Sequence, residues 1–327
     1  MSGSRAPLIC SQNCKCSQNY NLLSRGPPTP AAGLARFCSA GSAIMPSTSI
    51  TIDSTVRLRS GLEMPLFGLG TWLAAADGEC LAACTAALDY GYRLIDTAAM
   101  YGNEHEVGAA LAASPRKDEV FVVTKLKGAE HGRENALAAL DVSLSKLGRS
   151  SVDLWLMHSP DGGKVVETWK AMLEAKAAGK CRAVGVSNFG VAQLEALKAA
   201  GCEAPEVNQF ELHCWFQQRP AVEYCRAEGI TVMSYCPLAR CKLFGQTELA
   251  KLAAAWGKTE AQCALRWLLQ RGFVTIPKSS NAARIASNAV FDFELTEEQL
   301  AQMDALDQGF KASNAVNSMD RPWDEVM

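Results

Sequence analysis

"VFVVTKLKGAEHGRENALAALDVSLSKLGRSSVDLWLMH", residues 120–158, reads as strand, helix, strand. Residues 120–124 and 152–157 are short, nearly unbroken apolar runs, the pattern of strands buried on both faces of a parallel sheet. Between them Leu137, Leu140, Leu144 and Leu147 recur at steps of three and four, which gathers the leucines on one helix face. Two parallel strands need a crossover of this kind, so the segment predicts a βαβ unit.

The same alternation runs outward in both directions. Further apolar runs at 66–69, 93–95, 182–186, 206–210, 231–235 and 274–276 bring the expected strands to eight, separated by helical patterns. A hairpin, "VRLRSGLEMPLFG", turning at Ser60-Gly61, precedes them, and helical segments at 247–256 and 296–306 are extra. Eight strand-helix units over about 275 residues predict an α/β fold, the (β/α)8 or TIM barrel, as one domain spanning 50–327. Its chemistry belongs at the C-terminal ends of the strands.

Composition narrows the partners. The chain has 327 residues, 48% of them hydrophobic, and a formal net charge of −2. That balance suits a globular core and offers no broad basic surface for nucleic acid or an anionic membrane. Residues 1–49 differ from the rest: Arg5, Lys15, Arg25 and Arg36 precede the first acid, Asp53, and the segment is rich in Ser, Ala and Gly. It reads as a mitochondrial or plastid transit peptide, a disordered extension, or upstream sequence ahead of a start at Met45. In the last two cases the protein is expected in the cytoplasm. The 13 cysteines form no C-x-x-C pair, so no metal site is expected, and those in helical patterns, such as Cys84 and Cys263, read as small core residues.

Two local motifs mimic nucleotide sites. "GLGTWL", 68–73, starts like a dinucleotide fingerprint, but Leu73 stands where the third glycine should be. "WGKT", 256–259, resembles the end of a P-loop with Leu252 in place of its first glycine, and reads better as a turn between helices. The strand ends are more informative. Asp96 follows the second strand, Lys125 closes the third, His158 follows the fourth, and Tyr101 lies just beyond Asp96 in "GYRLIDTAAMYGNE". In a barrel these ends converge on one cavity. After the last strand, "TIPKSSNAARIASN" (275–288) places Lys278, Ser279 and Arg284 beside a helix start, which suits either an anion site or plain helix capping.

With "VVTKL", "LMHSP", "GVSNF", "VNQFELH" and "SYCPLA" in order, the chain resembles the aldo-keto reductase superfamily. The resemblance implies NADPH-dependent reduction of aldehydes or ketones, with Asp96, Tyr101, Lys125 and His158 as catalytic tetrad and Tyr101 as acid. The chemistry suits those types: the carbonyl oxygen needs a proton, and a lysine cation beside a phenol is expected to lower its pKa. For the cofactor, the resemblance points to Ser187, Asn188 and Gln209 at the carboxamide, Tyr235 under the nicotinamide and Leu238 nearby. Lys278, Ser279 and Arg284 fall to the 2′-phosphate and Asn288 to the adenine. Trp72, Lys127, Ser159 and Trp215 are the expected pocket residues, with Lys127 and Ser159 standing where tryptophans are frequent and so suggesting polar or anionic substrates. The family default is a monomer acting on a small carbonyl compound. A nucleotide-sensing regulatory subunit with little turnover is the alternative the superfamily allows.

Overall fold

The computed structural model describes residues 49–313, 318–320 and 322. Apart from Ser49, the expected leader lies outside the described residues. β1 (Thr55–Arg57) and β2 (Glu63–Pro65) form the antiparallel hairpin, with Val56 opposite Met64. Its turn closes through Gly61 N–H to the Leu58 carbonyl, 2.8 Å, and the φ of +89° at Gly61 explains the glycine there.

The barrel units follow in order: β3 (Leu69–Gly70), α1 (Glu79–Tyr90), β4 (Leu94–Asp96), α2 (Glu104–Ala113), β5 (Phe121–Leu126) and α3 (Arg133–Leu147). Next come β6 (Val152–Met157), α4 (Val165–Ala177), β7 (Cys181–Ser187), α5 (Val191–Ala199), β8 (Val207–Glu211) and α6 (Arg219–Ala227). β9 (Thr231–Tyr235), α7 (Glu248–Ala255), α8 (Glu260–Gln270), β10 (Val274–Thr275), α9 (Ala282–Asn288) and α10 (Glu297–Asp304) complete it. β3 to β10 pair in chain order, every pair parallel. A parallel bridge between Phe67 and Thr275 joins the ends, supported by Gly68 N–H to the Thr275 carbonyl (3.1 Å) and Gly70 N–H to the Pro277 carbonyl (3.2 Å). This seam also explains the glycines of "GLGTWL": a Cβ on Gly68 would lie 2.5 Å from the Leu94 side chain, and one on Gly70 2.9 Å from the Ile276 carbonyl oxygen. They serve packing and not a phosphate.

Of the α3 leucines, Leu140, Leu144 and Leu147 are buried and Leu137 is partly so. Cys84 and Cys263 are fully buried, as a core reading requires. The segments expected at 247–256 and 296–306 are α7 and α10, and Thr259 of "WGKT" caps α8, accepting from Gln262 N–H at 3.2 Å. β5 runs past the expected 120–124 to include Lys125, because the ladder continues, with Lys125 opposite Leu156, after the apolar run stops. Among the described residues no helix is long and apolar enough to cross a membrane, and no group of three or more His, Cys, Asp or Glu could hold a metal ion.

Candidate active site

Asp96 is the last residue of β4, Lys125 the penultimate residue of β5, and His158 directly follows β6. Tyr101 ends a 3-10 turn over Ala99–Tyr101. The Lys125 ammonium donates to Asp96 Oδ1 (2.5 Å), the Thr97 carbonyl (3.0 Å) and the Tyr101 hydroxyl (3.2 Å). An ammonium has three N–H donors, and all three are used. The other carboxylate oxygen of Asp96 accepts from Gln209 Nε2 at 2.7 Å. Gln209 was expected only at a carboxamide, and its role in fixing Asp96 carries no local sequence signal.

The rings gather around the phenol. Tyr101 lies 4.8 Å from Trp72 and 5.6 Å from His158, centroid to centroid. Burial lifts the Asp96 carboxyl above the usual range and depresses the Lys125 ammonium, and their mutual attraction opposes both shifts. Tyr101 departs from expectation. Burial first, then the charge of Asp96 and the neighbouring Tyr235, hold its phenol well above its ordinary pKa. The Lys125 ammonium is engaged by Asp96 at 2.5 Å, and burial together with the Asp96 charge keeps the phenol high despite that cation. Burial, with Lys125 second, pushes His158 down to about 3. At neutral pH the site therefore presents a protonated phenol and an uncharged imidazole.

Asn103, just beyond Tyr101 in the chain, braces this arrangement. Buried completely, it accepts from the Thr97 hydroxyl (3.0 Å) and donates to the carbonyls of Thr71 and Ala74, each at 3.0 Å. It thus ties the Trp72 loop to the Asp96–Tyr101 turn. Its neighbour Glu104 accepts from Thr124 Oγ1 at 2.7 Å, on the strand that carries Lys125.

The residues expected at a nicotinamide cluster on adjoining strands. Ser187 ends β7 opposite Gln209 in β8, and Asn188, at φ +61°, donates to the His158 carbonyl and to Ser187 Oγ, both 3.0 Å. Tyr235, at the end of β9, donates to Asn188 Oδ1 at 2.9 Å. Amides, a hydroxyl and an aromatic ring side by side suit a carboxamide-bearing heterocycle. Leu238 lies half-buried in the following loop, where Cys236, Ala239, Arg240 and Cys241 all have positive φ.

Beyond β10, both of the open alternatives leave a mark. Asn281 caps α9, accepting from Arg284 N–H at 3.0 Å, and its own N–H goes to Ser279 Oγ at 3.1 Å. Arg284 and Lys278 are exposed, while Asn288 is buried. The cation of the set is not waiting free: Lys278 Nζ donates to Glu79 Oε1 at 3.1 Å and to Ser280 Oγ at 2.5 Å, and Ser280 Oγ donates to the same Glu79 oxygen. Glu79 opens α1, and no spacing in the sequence could have paired it with Lys278.

The pocket residues divide. Trp72 is 40% exposed beside Tyr101, and their chain neighbours Leu73 and Met100 are also exposed apolar residues. Ser159 accepts from Asp161 N–H at 3.3 Å and so caps a short turn. Lys127 pairs with Glu130 at 3.4 Å, which removes the unopposed cation expected at the mouth. Trp215 is 1% exposed, so it offers no surface to a substrate. Its carbonyl accepts from the N–H groups of Gln308 (3.2 Å) and Phe310 (3.0 Å). That same C-terminal segment is anchored where Glu211 accepts from Ala312 N–H at 2.5 Å and Ser313 N–H at 3.1 Å. Neither contact has a local signature.

Known proteins are similar to this chain in sequence and in fold. Glyoxal reductase of Bacillus subtilis is 40% identical over 260 residues, covering 79% of this chain and 94% of that protein. Morphine 6-dehydrogenase of Pseudomonas putida is 40% identical over 273 residues, 78% of this chain and 92% of its own. The crystal structure of a Bombyx mori aldo-keto reductase in complex with NADP superposes with a TM-score of 0.76 at 34% identity, covering 84% of this chain and 98% of that one. The sequence model of the Aldo/keto reductase family matches residues 66–308. With a parallel eight-stranded barrel and Asp96, Tyr101, Lys125 and His158 at its strand ends, the chain belongs to the aldo/keto reductase family of oxidoreductases.

Proposed function

We propose that this protein reduces aldehydes or ketones to alcohols with NADPH, and that Tyr101 gives the proton to the carbonyl oxygen. The observation that carries this is the single ammonium of Lys125 bonded at once to Asp96 and to the Tyr101 hydroxyl. Bound NADPH supplies a hydride to the carbonyl carbon; the protein must supply the proton and hold the oxygen still. Burial keeps the phenol protonated at neutral pH, so the proton is present to be given, and the Lys125 N–H aimed at that oxygen holds the hydroxyl in place. Neutral His158, its ring edge-on to Tyr101, is the second group able to hydrogen-bond the carbonyl oxygen.

For the cofactor, Ser187, Asn188 and Gln209 would hold the carboxamide and Tyr235 the ring. Lys278, Ser279 and Arg284 would take the 2′-phosphate, with Asn288 at the adenine and Leu238 along the way. The exposed apolar residues Trp72, Leu73 and Met100, with Glu130 beside Lys127, favour uncharged carbonyl compounds over the polar or anionic ones first expected. A relative named for glyoxal is compatible with an uncharged substrate.

The test is loss of reduced-nicotinamide absorbance with NADPH across a panel of dicarbonyls, aromatic aldehydes and ketones. Tyr101→Phe should lower kcat by about 10²- to 10⁴-fold while cofactor still binds. Full turnover in that variant would remove Tyr101 as acid. Cofactor binding without turnover on any compound would favour the nucleotide-sensing alternative.

A further inference from the structure

We propose that Glu79 is a specificity-determining residue: by occupying Lys278 and Ser280 it opposes the 2′-phosphate of NADPH and narrows the preference for NADPH over NADH. This rests on the NADP reading given above. The geometry is specific. One oxygen of the Glu79 carboxylate accepts from both Lys278 Nζ and Ser280 Oγ, and the lysine also donates to that serine. The lysine and glutamate side chains remain 33% and 38% exposed, so a ligand can reach them. The same contacts hold the Glu79 carboxyl below its usual pKa, and it is ionised across the neutral range.

Helix capping does not explain Glu79. The start of α1 is already satisfied by Glu106, which accepts from Gly78 N–H at 2.7 Å and Leu81 N–H at 2.9 Å. Glu79 itself accepts a long contact from Ala75 N–H, 3.4 Å, through its other oxygen. The carboxylate that holds Lys278 is therefore an intramolecular anion where a phosphate is expected. An incoming 2′-phosphate must either displace it or sit beside it, and both weaken binding. A ribose 2′-hydroxyl suffers neither penalty, because a carboxylate near that hydroxyl is the feature that favours NADH in other nucleotide sites.

Calorimetric dissociation constants for NADPH, NADH, 2′,5′-ADP and 5′-AMP decide the matter, with thermal melts to verify folding. Glu79→Gln keeps the size and an acceptor but removes the charge. It should tighten NADPH and 2′,5′-ADP by about threefold to tenfold, as expected for one exposed charge a few ångströms from an anion, and leave NADH and 5′-AMP within about twofold. In a Lys278→Ala background the gain should shrink, since the contested cation is gone. Unchanged affinity for the phosphate-bearing ligands, equal tightening of NADH, or an undiminished gain without Lys278 would each overturn the proposal. If Lys278→Ala leaves 2′,5′-ADP binding unchanged in the otherwise native protein, the phosphate-site reading itself fails, and the role of Glu79 fails with it.

Discussion

Two of the lysine–carboxylate pairs of this barrel, Lys125–Asp96 at the ends of β5 and β4 and Lys278–Glu79 after β10 and at the start of α1, differ in almost everything except their chemistry. Lys125 and Asp96 are 2.5 Å apart with side chains 0% and 3% exposed, and every donor of the ammonium is matched. Lys278 and Glu79 are 3.1 Å apart, about one-third exposed, and reachable by water. Inside, desolvation makes each charge depend on the other; outside, water substitutes for either partner. The buried pair can hold a phenol in a fixed place, whereas the exposed pair can be exchanged for a ligand. The same two functional groups thus support the proposed acid in one place and form the proposed phosphate site in the other.

Breaking the buried pair should have the largest effect. Asp96→Asn leaves the Lys125 charge uncompensated, so denaturant titration should show a loss of about 3–5 kcal/mol. Combining it with Lys125→Met should recover much of that loss while activity stays absent, because the pair stands or falls together. Full stability of Asp96→Asn alone would break the comparison. If burial rather than charge sets the cost, a buried neutral group must also be expensive. Asn103→Ala, which takes the partner from the Thr97 hydroxyl and the Ala74 carbonyl and one of two from the Thr71 carbonyl, should cost about 1–3 kcal/mol by the same titration. Turnover should fall as well, since Trp72 and Tyr101 lose their common tie. The exposed pair gives the smallest effect: Lys278→Ala should change stability by less than about 1 kcal/mol. A larger loss would mean that Lys278 is structural and not held in reserve for a ligand.

Much of the barrel was legible because its signals are local. The strands expected at 152–157 and 231–235 are β6 and β9 with those bounds, and the α3 stripe buries as its spacing demands. Where limits shifted, as at β5, the ladder carried a polar residue into the sheet that composition alone would place outside it. Of the four residues proposed for catalysis, Asp96, Lys125 and His158 stand out by the same logic, each a polar group at the end of an apolar run, and Tyr101 by its place just beyond Asp96. Their ionisation does not. A lysine beside a phenol reads as a device for lowering the phenol's pKa, and only the position of Asp96 against that lysine, with the burial of all three, shows that the phenol stays high. Trp215 fails as an open pocket residue because the fold buries it to 1% exposure, while Lys127 stays 38% exposed with Glu130 3.4 Å away.

By itself the sequence determined the alternation of strand and helix, the barrel that eight such units must form, and which polar residues arrive at its rim, since hydrophobic period and chain order are properties of neighbouring residues. Tertiary structure decided who meets whom. Gln209 reaches Asp96 across 113 positions and Lys278 reaches Glu79 across 199. Contacts over such spans leave no periodic trace, yet they set burial and charge balance, and so decide which group holds its proton and which waits for an anion.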